Sequence, residues 1–461
     1  MIEIKKEVRE AIEKLSRLNL DFLEFVRKNP GCRDRANFKL LELNDDLFTL
    51  QPWPTFINRE NRSRFREVSL QMWRLIKSIP RRVFGYDFEK MSRFYEIPVA
   101  AIESQFRGVT DEHLENLMGR GDFILSPTGL KCLEYNFSAS LGGWQVPIWE
   151  SLYLNTPLIG RFFKEYRVKP IKENLILTFL QHVVHSAPGE IFQREGKLNV
   201  ALVWDGFVDG TISTQAYLNT LYKDLLRQKD GALTGRVHMC DYRHLEIVNQ
   251  CAFHKGEKIH TLVELHRGHV PAEIMAVFSA GNIRLMNGPV SRLLASKLNL
   301  ALLSDHETVD VFNHQEREFI HCHVPWTRKI VPGTTLFEGK TVQLVDFIRS
   351  HREMLVIKPG SGYGGKGVCV GRTVTDREWQ ESVDTALREK NWAVQQWVEA
   401  SPGLYQAGAS GYDIHDMSWG FFVFGPHYAG VWVRVMPRQG SKGVVNCHQG
   451  ASVSVVFNVD E

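Results

Sequence analysis

Apolar residues in the first quarter of the chain recur at helical spacing. Ile4, Val8, Ile12 and Leu15 share one face, and Val68, Met72, Leu75 and Ile79 share another just before Pro80. The spacing extends a helix over 111–118, with Thr110 as its cap. Residues 1–118 therefore read as mainly helical. From Asp122 the pattern shortens to strands at 123–125 and 130–133, around a turn made by Pro127, Thr128 and Gly129. Residues 198–310 read as a separate α/β unit. It opens with a strand over 198–204 and a turn at Asp205 and Gly206. A helix carrying Tyr217, Leu218, Leu221, Leu225 and Leu226 follows, then a strand over 236–240. A hairpin-like stretch at 251–260 and helices around 272–280 and 289–303 complete it. Near the C-terminus, 418–424 and 428–435 read as paired strands around Gly425 and Pro426.

The most informative segment follows another short apolar run. Leu355, Val356 and Ile357 read as a buried strand with Lys358 at its end, and then five glycines fall within positions 360–367. Gly360, Gly362, Gly364 and Gly365 let the backbone approach a ligand closely, and Lys366 adds a second cation. Exposed N–H groups beside two lysines make a cradle for phosphate. Gly367 stands where a P-loop needs Ser or Thr. The next residues, Val368 to Val370, are strand-like, whereas a P-loop opens into a helix. The loop therefore reads as a flap joining two strands.

A second constellation lies far upstream. In a strand, residues two apart point to one face, so Glu134 and Asn136 present oxygens to the same side. Asp122, on the neighbouring strand, adds a third. Hard oxygens of this kind suit Mg²⁺. Arg120 shares the face of Asp122 and has the geometry to hold a phosphoryl group bidentately. An ordinary polar face on a half-exposed hairpin is the competing reading.

The third set is C-terminal. Residues 393–399 read as a strand that can line an adenine slot through Gln396, Trp397 and Val398, with Glu399 accepting from ribose hydroxyls. A buried strand whose Glu399 caps a turn fits the same residues. Arg434 ends an otherwise apolar strand, as a phosphate or substrate contact or as a rim arginine with a carboxylate neighbour.

Composition adds limits. Of the 461 residues, 43% are hydrophobic and 24% charged, as in globular chains of two to four structural units. A formal net charge of +3 is too near balance to make nucleic acid the main partner. Seven cysteines without a C-x-x-C pair fit reduced thiols in a cytosol. The charged N-terminus and the lack of a long apolar run predict a cytoplasmic protein with no membrane span. His182 with His185, and His321 with His323, are weak metal-ligand candidates. The first pair has no third ligand nearby and the second is too tight for one tetrahedral ion.

Taken together, the motifs resemble the ATP-grasp superfamily, and specifically its circularly permuted members, the glutathionylspermidine synthetase-like ligases. The pairing of Arg120-x-Asp122 with Glu134-x-Asn136, with eleven residues between them, carries the resemblance, with Lys358, the flap and the segment from Gln395 to Glu399 following in permuted order. It implies an α+β fold: a permuted ATP-grasp split over 119–197 and 311–461, with a pre-ATP-grasp domain at 198–310 inserted. It also implies two Mg²⁺ ions on Asp122, Glu134 and Asn136, phosphoryl stabilisation by Arg120, ATP phosphates on Lys358 and ribose on Glu399. The activity implied is ADP-forming ligation of a small-molecule or peptide carboxylate to an amine through an acyl phosphate. A kinase or a non-catalytic nucleotide-binding protein would use the same site. Phe137 to Gly143 and the Gly-Tyr-Gly-Gly-Lys flap depart from the synthetases, so glutathione and spermidine are not carried over as substrates.

Overall fold

Small residues alternating with large ones build the central sheet. In the strand Met118–Ser126, a Cβ at Gly121 would come within 2.8 Å of the Tyr135 ring and 2.5 Å of the Phe123 ring. Glycine there lets the aromatic side chains lie across the backbone. The computed structural model describes residues 4–29, 49–171, 173–187, 195–203, 212–265, 270–362, 364–407, 411–439 and 443–461. Trp204, Asp205, Gly206 and Tyr363 lie outside the described residues.

The largest sheet has seven strands and joins distant parts of the chain. Met118–Ser126 pairs antiparallel with Gly129–Phe137 on one side and with Gly411–Phe424 on the other. Gly411–Phe424 pairs in turn with His427–Pro437 and with Pro402–Ala407. Ser452–Ser454 and Thr49–Leu50 complete the far edge. Both hairpins run longer than the apolar runs suggest, because their polar and glycine residues continue the ladder.

Odd-numbered Trp419, Phe421 and Val423 pack under the long helix Arg59–Arg82, where the Phe65 and Phe421 ring centroids are 4.8 Å apart. The opposite face carries Phe422 and Phe424 against the helix Leu175–His185. Farther along that second face the pattern turns polar: Asp416, Ser418, Arg434, Arg120, Asp122, Glu134 and Asn136 all project from it.

A second antiparallel sheet, in the order Thr327–Lys329, Trp392–Gln396, Leu355–Pro359, Cys369–Val370, stands against that polar stretch. Leu355, Ile357 and Val394 bury under the helix Asp376–Glu389, which offers Trp379, Val383 and Ala386. Its other face carries Val356, Lys358 and Gln395. Between these sheets in the sequence lies a fully parallel four-stranded sheet, in the order Arg284–Met286, Thr261–Glu264, Val200–Val203, Val237–Cys240. The molecule is thus α+β. No helix among the described residues is long and apolar enough to cross a membrane.

Candidate functional site

The cross-strand register builds the site from the backbone up. Arg120 stands opposite Asn136, and Asp122 opposite Glu134, so all four side chains share the polar face. Gly420 separates Asp122 from Trp432 in the next two strands. A Cβ on Gly420 would sit 2.1 Å from the Trp432 Nε1 and 2.9 Å from the Arg120 Cδ. Glycine at 420 therefore lets the indole and the Arg120 stem cross the sheet, and Trp432 lies 5.1 Å below the Arg120 guanidinium. Gly420→Ala is expected to cost about 1–3 kcal/mol through overpacking, read by chemical denaturation. A variant as stable as the wild type would show that the indole moves aside freely.

Asp122 is the centre of a buried charge network. Arg120 donates from Nε to Asp122 Oδ1 at 2.7 Å and from Nη2 to Oδ2 at 2.9 Å. Arg434 Nη2 lies 3.1 Å from the same Oδ1 and donates to Ser418 Oγ at 3.0 Å. Asn136 Nδ2 reaches Asp122 Oδ2 at 3.4 Å. Burial pushes the Asp122 carboxyl up, but Arg120 and Arg434 outweigh it and hold the group below its ordinary value. Arg434 Nε is buried with no hydrogen-bond acceptor among the described residues. That is an orphan donor at the floor of the site.

Lys358 reaches over from the second sheet. Its Nζ donates to Gln395 Oε1 at 2.6 Å and to the Leu133 carbonyl at 3.3 Å, which ties the two sheets together. Gln395 in turn donates to Thr327 Oγ1 at 3.1 Å. Burial lowers the Lys358 ammonium to about 8, although Glu134 acts to raise it and Lys297 lowers it further. Lys297, which the sequence reading did not single out, lies 3.2 Å from Glu134 Oε2 and donates to the Gly362 carbonyl at 3.1 Å. Its backbone N–H donates to the Gly360 carbonyl at 2.8 Å.

These groups line a cleft between the sheets of about 960 Å³, counting space that opens to solvent. Asp122, Glu134, Lys358 and Arg434 form one end, and Gln396, Trp397 and Val398 the other. Gly362, Gly365 and Lys366 of the flap close over it, and Gly362, Gly364, Gly365 and Gly367 all have positive φ. Gly364 packs near His448 and Gly365 near Val444, so the flap meets the C-terminal segment as a second lip. Gly360 is fixed by its N–H bond to the Asn391 carbonyl at 2.7 Å.

Arg120 and Asn136 touch Asp122 and do not line the cleft itself. Glu399 stands apart from the group. The strand stops at Gln396, and the Glu399 side chain is 72% exposed, 3.9 Å from Arg438. Asp416, held by Arg438 at 2.7 Å, lines the cleft. The histidines serve the fold: His182 Nε2 bonds the Asn116 carbonyl at 2.9 Å and His323 Nδ1 the Leu130 carbonyl at 2.7 Å. No group of three His, Cys, Asp or Glu among the described residues is placed to hold a metal. Asp122, Glu134 and Asn136 bring two carboxylates and an amide together, the donor chemistry a hard cation takes, with Asn136 turning its Nδ2 toward Asp122.

No protein-family model matches the chain, and no curated protein matches it in sequence. Among solved structures it is similar to a "Putative gamma-glutamylcysteine synthetase" from Methylobacillus flagellatus. The TM-score is 0.41 with 9% identity, covering 84% of this chain and 87% of the other. At that distance the chemistry has to come from the residues themselves.

Proposed function

We propose that the chain is an ATP-dependent, ADP-forming carboxylate–amine ligase on a circularly permuted ATP-grasp fold. In this reading 119–197 and 311–461 are the two parts of the nucleotide fold. Residues 198–310 form the inserted pre-ATP-grasp domain, and 1–118 a helical region beside the substrates. One observation carries it. Arg120, Arg434, Lys297 and Lys358, each at most 8% exposed, face two carboxylates, Asp122 and Glu134. An excess of two buried positive charges is costly without an anion. The dianion presented by Mg-ATP balances it, and the orphan Arg434 Nε gains an acceptor.

Phosphoryl transfer asks for positioning and charge neutralisation. Lys358, Lys297 and the flap amides would hold the polyphosphate, with the apolar faces of Val356 and Val370 beside the base. Asp122, Glu134 and Asn136 would hold Mg²⁺, which supplies charge neutralisation between the phosphates. A substrate carboxylate attacking the γ-phosphorus releases ADP and forms an acyl phosphate. An amine then displaces phosphate to give the amide. Arg120 and Arg434 oppose the charge that builds on the transferring group, and the flap excludes water.

Hydroxylamine tests this, because it traps an acyl phosphate whatever the natural amine. Mg-ATP with a panel of carboxylates should give ADP and a hydroxamate from at least one acid. ADP and a phosphorylated product without hydroxamate would make the protein a phosphotransferase, and neither product with any acid would overturn the ligase. Nucleotide binding checks the lysine separately. Affinity for Mg-ATP should fall as pH rises through about 8, because the free protein loses the Lys358 proton there. Lys358→Met should bind at least about tenfold more weakly, a loss of about 1.4 kcal/mol, and show a flat profile in this range by calorimetric titration. An equal slope in the variant would remove Lys358 from the phosphates.

A further inference from the structure

Three adjacent strands carry a chain of hydrogen bonds toward the cleft. Thr327 stands directly opposite Gln395, and Gln395 opposite Val356, two residues before Lys358. Residues two apart on a strand share a face, so Thr327, Gln395 and Lys358 lie on one side of this sheet. All three are buried.

The direction of each proton in the chain is set from its far end. A carbonyl can only accept, so the single proton of the Thr327 hydroxyl goes to the Pro325 carbonyl, 2.8 Å away. The Thr327 oxygen can then only accept, and the Gln395 atom that meets it at 3.1 Å is the amide nitrogen. That turns Gln395 Oε1 to Lys358 Nζ, at 2.6 Å. A Gln395 amide flipped end for end would set its NH2 against the ammonium, and its oxygen against a hydroxyl with no proton left to give.

On the other side of Lys358 a bulge supplies the second acceptor. Asp122 pairs with Glu134 and Phe123 with Cys132, so Leu133 is the extra residue of its strand. Its carbonyl takes Lys358 Nζ at 3.3 Å. An ammonium has three N–H donors. Two are held by Gln395 and Leu133, and Lys358 lines the cleft, so the third is left to a ligand there. Thr327 does not line the cleft, and any effect it has on a ligand passes through Gln395 and Lys358.

We propose that Thr327 and Gln395 are positioning residues of the nucleotide site, which act through Lys358 by aiming one N–H of its ammonium at the polyphosphate. The proposal deepens the reading of the cleft as a nucleotide site and rests on it for the identity of that anion.

Calorimetric titration of Mg-ATP into the full chain tests it. Thr327→Val keeps the shape of the side chain and removes the hydroxyl. It should weaken Mg-ATP by about three- to tenfold, the worth of one hydrogen bond. Thr327→Ser, which restores the hydroxyl, should bind within about twofold of the wild type. In a Lys358→Met background Thr327→Val should cost nothing further, because the group it positions is gone. Gln395→Leu, with the same comparison in the Lys358→Met background, carries the test should Thr327→Val not fold. Affinity that Lys358→Met lowers and Thr327→Val leaves alone overturns the proposal and keeps the nucleotide site. An equal loss from Thr327→Val with and without Lys358 also overturns it, since that marks a general effect on the sheet. A wild type that binds Mg-ATP and is indifferent to Lys358→Met removes the lysine from the phosphates, and the proposal with it. No binding in any of these proteins overturns both.

Discussion

Glu134→Gln is expected to cut ADP and hydroxamate formation by about a thousandfold while the fold stands, a loss comparable to removing a main electrostatic contact at a reacting group. Glutamine keeps the volume and one acceptor for Lys297 but removes the negative charge a cation needs. Lys297 also keeps its bond to the Gly362 carbonyl, so the stability change should stay within about 1–2 kcal/mol. The decisive comparison is Mg²⁺ dependence. The wild type should bind ATP much more tightly with Mg²⁺ than without it, and Glu134→Gln should lose most of that difference. Wild-type turnover in the variant would remove the cation from Glu134. Lost turnover with an unchanged Mg²⁺ requirement would give the residue a different role.

Local patterns explain how much of this was legible in the sequence. The period of two in a strand put Glu134 and Asn136 on one face, and the observed register adds Arg120 and Asp122 to it. The strand-like Val368 to Val370 after the glycines read as the returning limb of a flap, and Cys369–Val370 pairs antiparallel with Val356 and Ile357. Lys297 was not legible. It sits in an apolar helical stretch between Leu294 and Leu298, where a lysine reads as a surface residue, and only packing against the hairpin at 129–137 brings it to Glu134. A cation in the middle of a buried run was the signal available. Glu399 misled for a different reason. The ladder ends at Gln396 because its partner Leu355 is the first residue of its strand, so alternation cannot be carried on to 399. Asp416 lines the cleft from Gly411–Phe424, a strand that begins seven residues before the apolar run at 418–424.

Asp122→Ala should be the most destabilising single change at the site. Arg120 and Arg434 are 8% and 4% exposed, and both guanidiniums lie over the Trp432 ring, so neither can turn to water. Removing the shared carboxylate leaves two buried cations unpaired, which costs about 3–5 kcal/mol, a large part of the roughly 5–15 kcal/mol that holds a typical domain. The sign with pH follows from the depressed carboxyl. Its contribution is present above the unfolded value near 3.9 and disappears as pH falls toward the folded one, so the wild type and the variant should converge in acid. A double-mutant cycle with Arg434→Met apportions the effect: the double variant should be more stable than the sum of the singles predicts. Asp122→Ala within about 1 kcal/mol of the wild type would show that water or a rearranged side chain satisfies the arginines. The same variant also tests the charge argument behind the nucleotide site. Without Asp122 the buried cluster of Arg120, Arg434, Lys297 and Lys358 keeps Glu134 alone of its two carboxylates, an excess of three positive charges where the wild type has two. Inorganic tripolyphosphate, which needs no base recognition, should therefore raise the Tm of Asp122→Ala more than that of the wild type. An equal shift in the two proteins would mean that these arginines do not face the polyphosphate, and the case for nucleotide binding would then rest on Lys358, Lys297 and the flap alone.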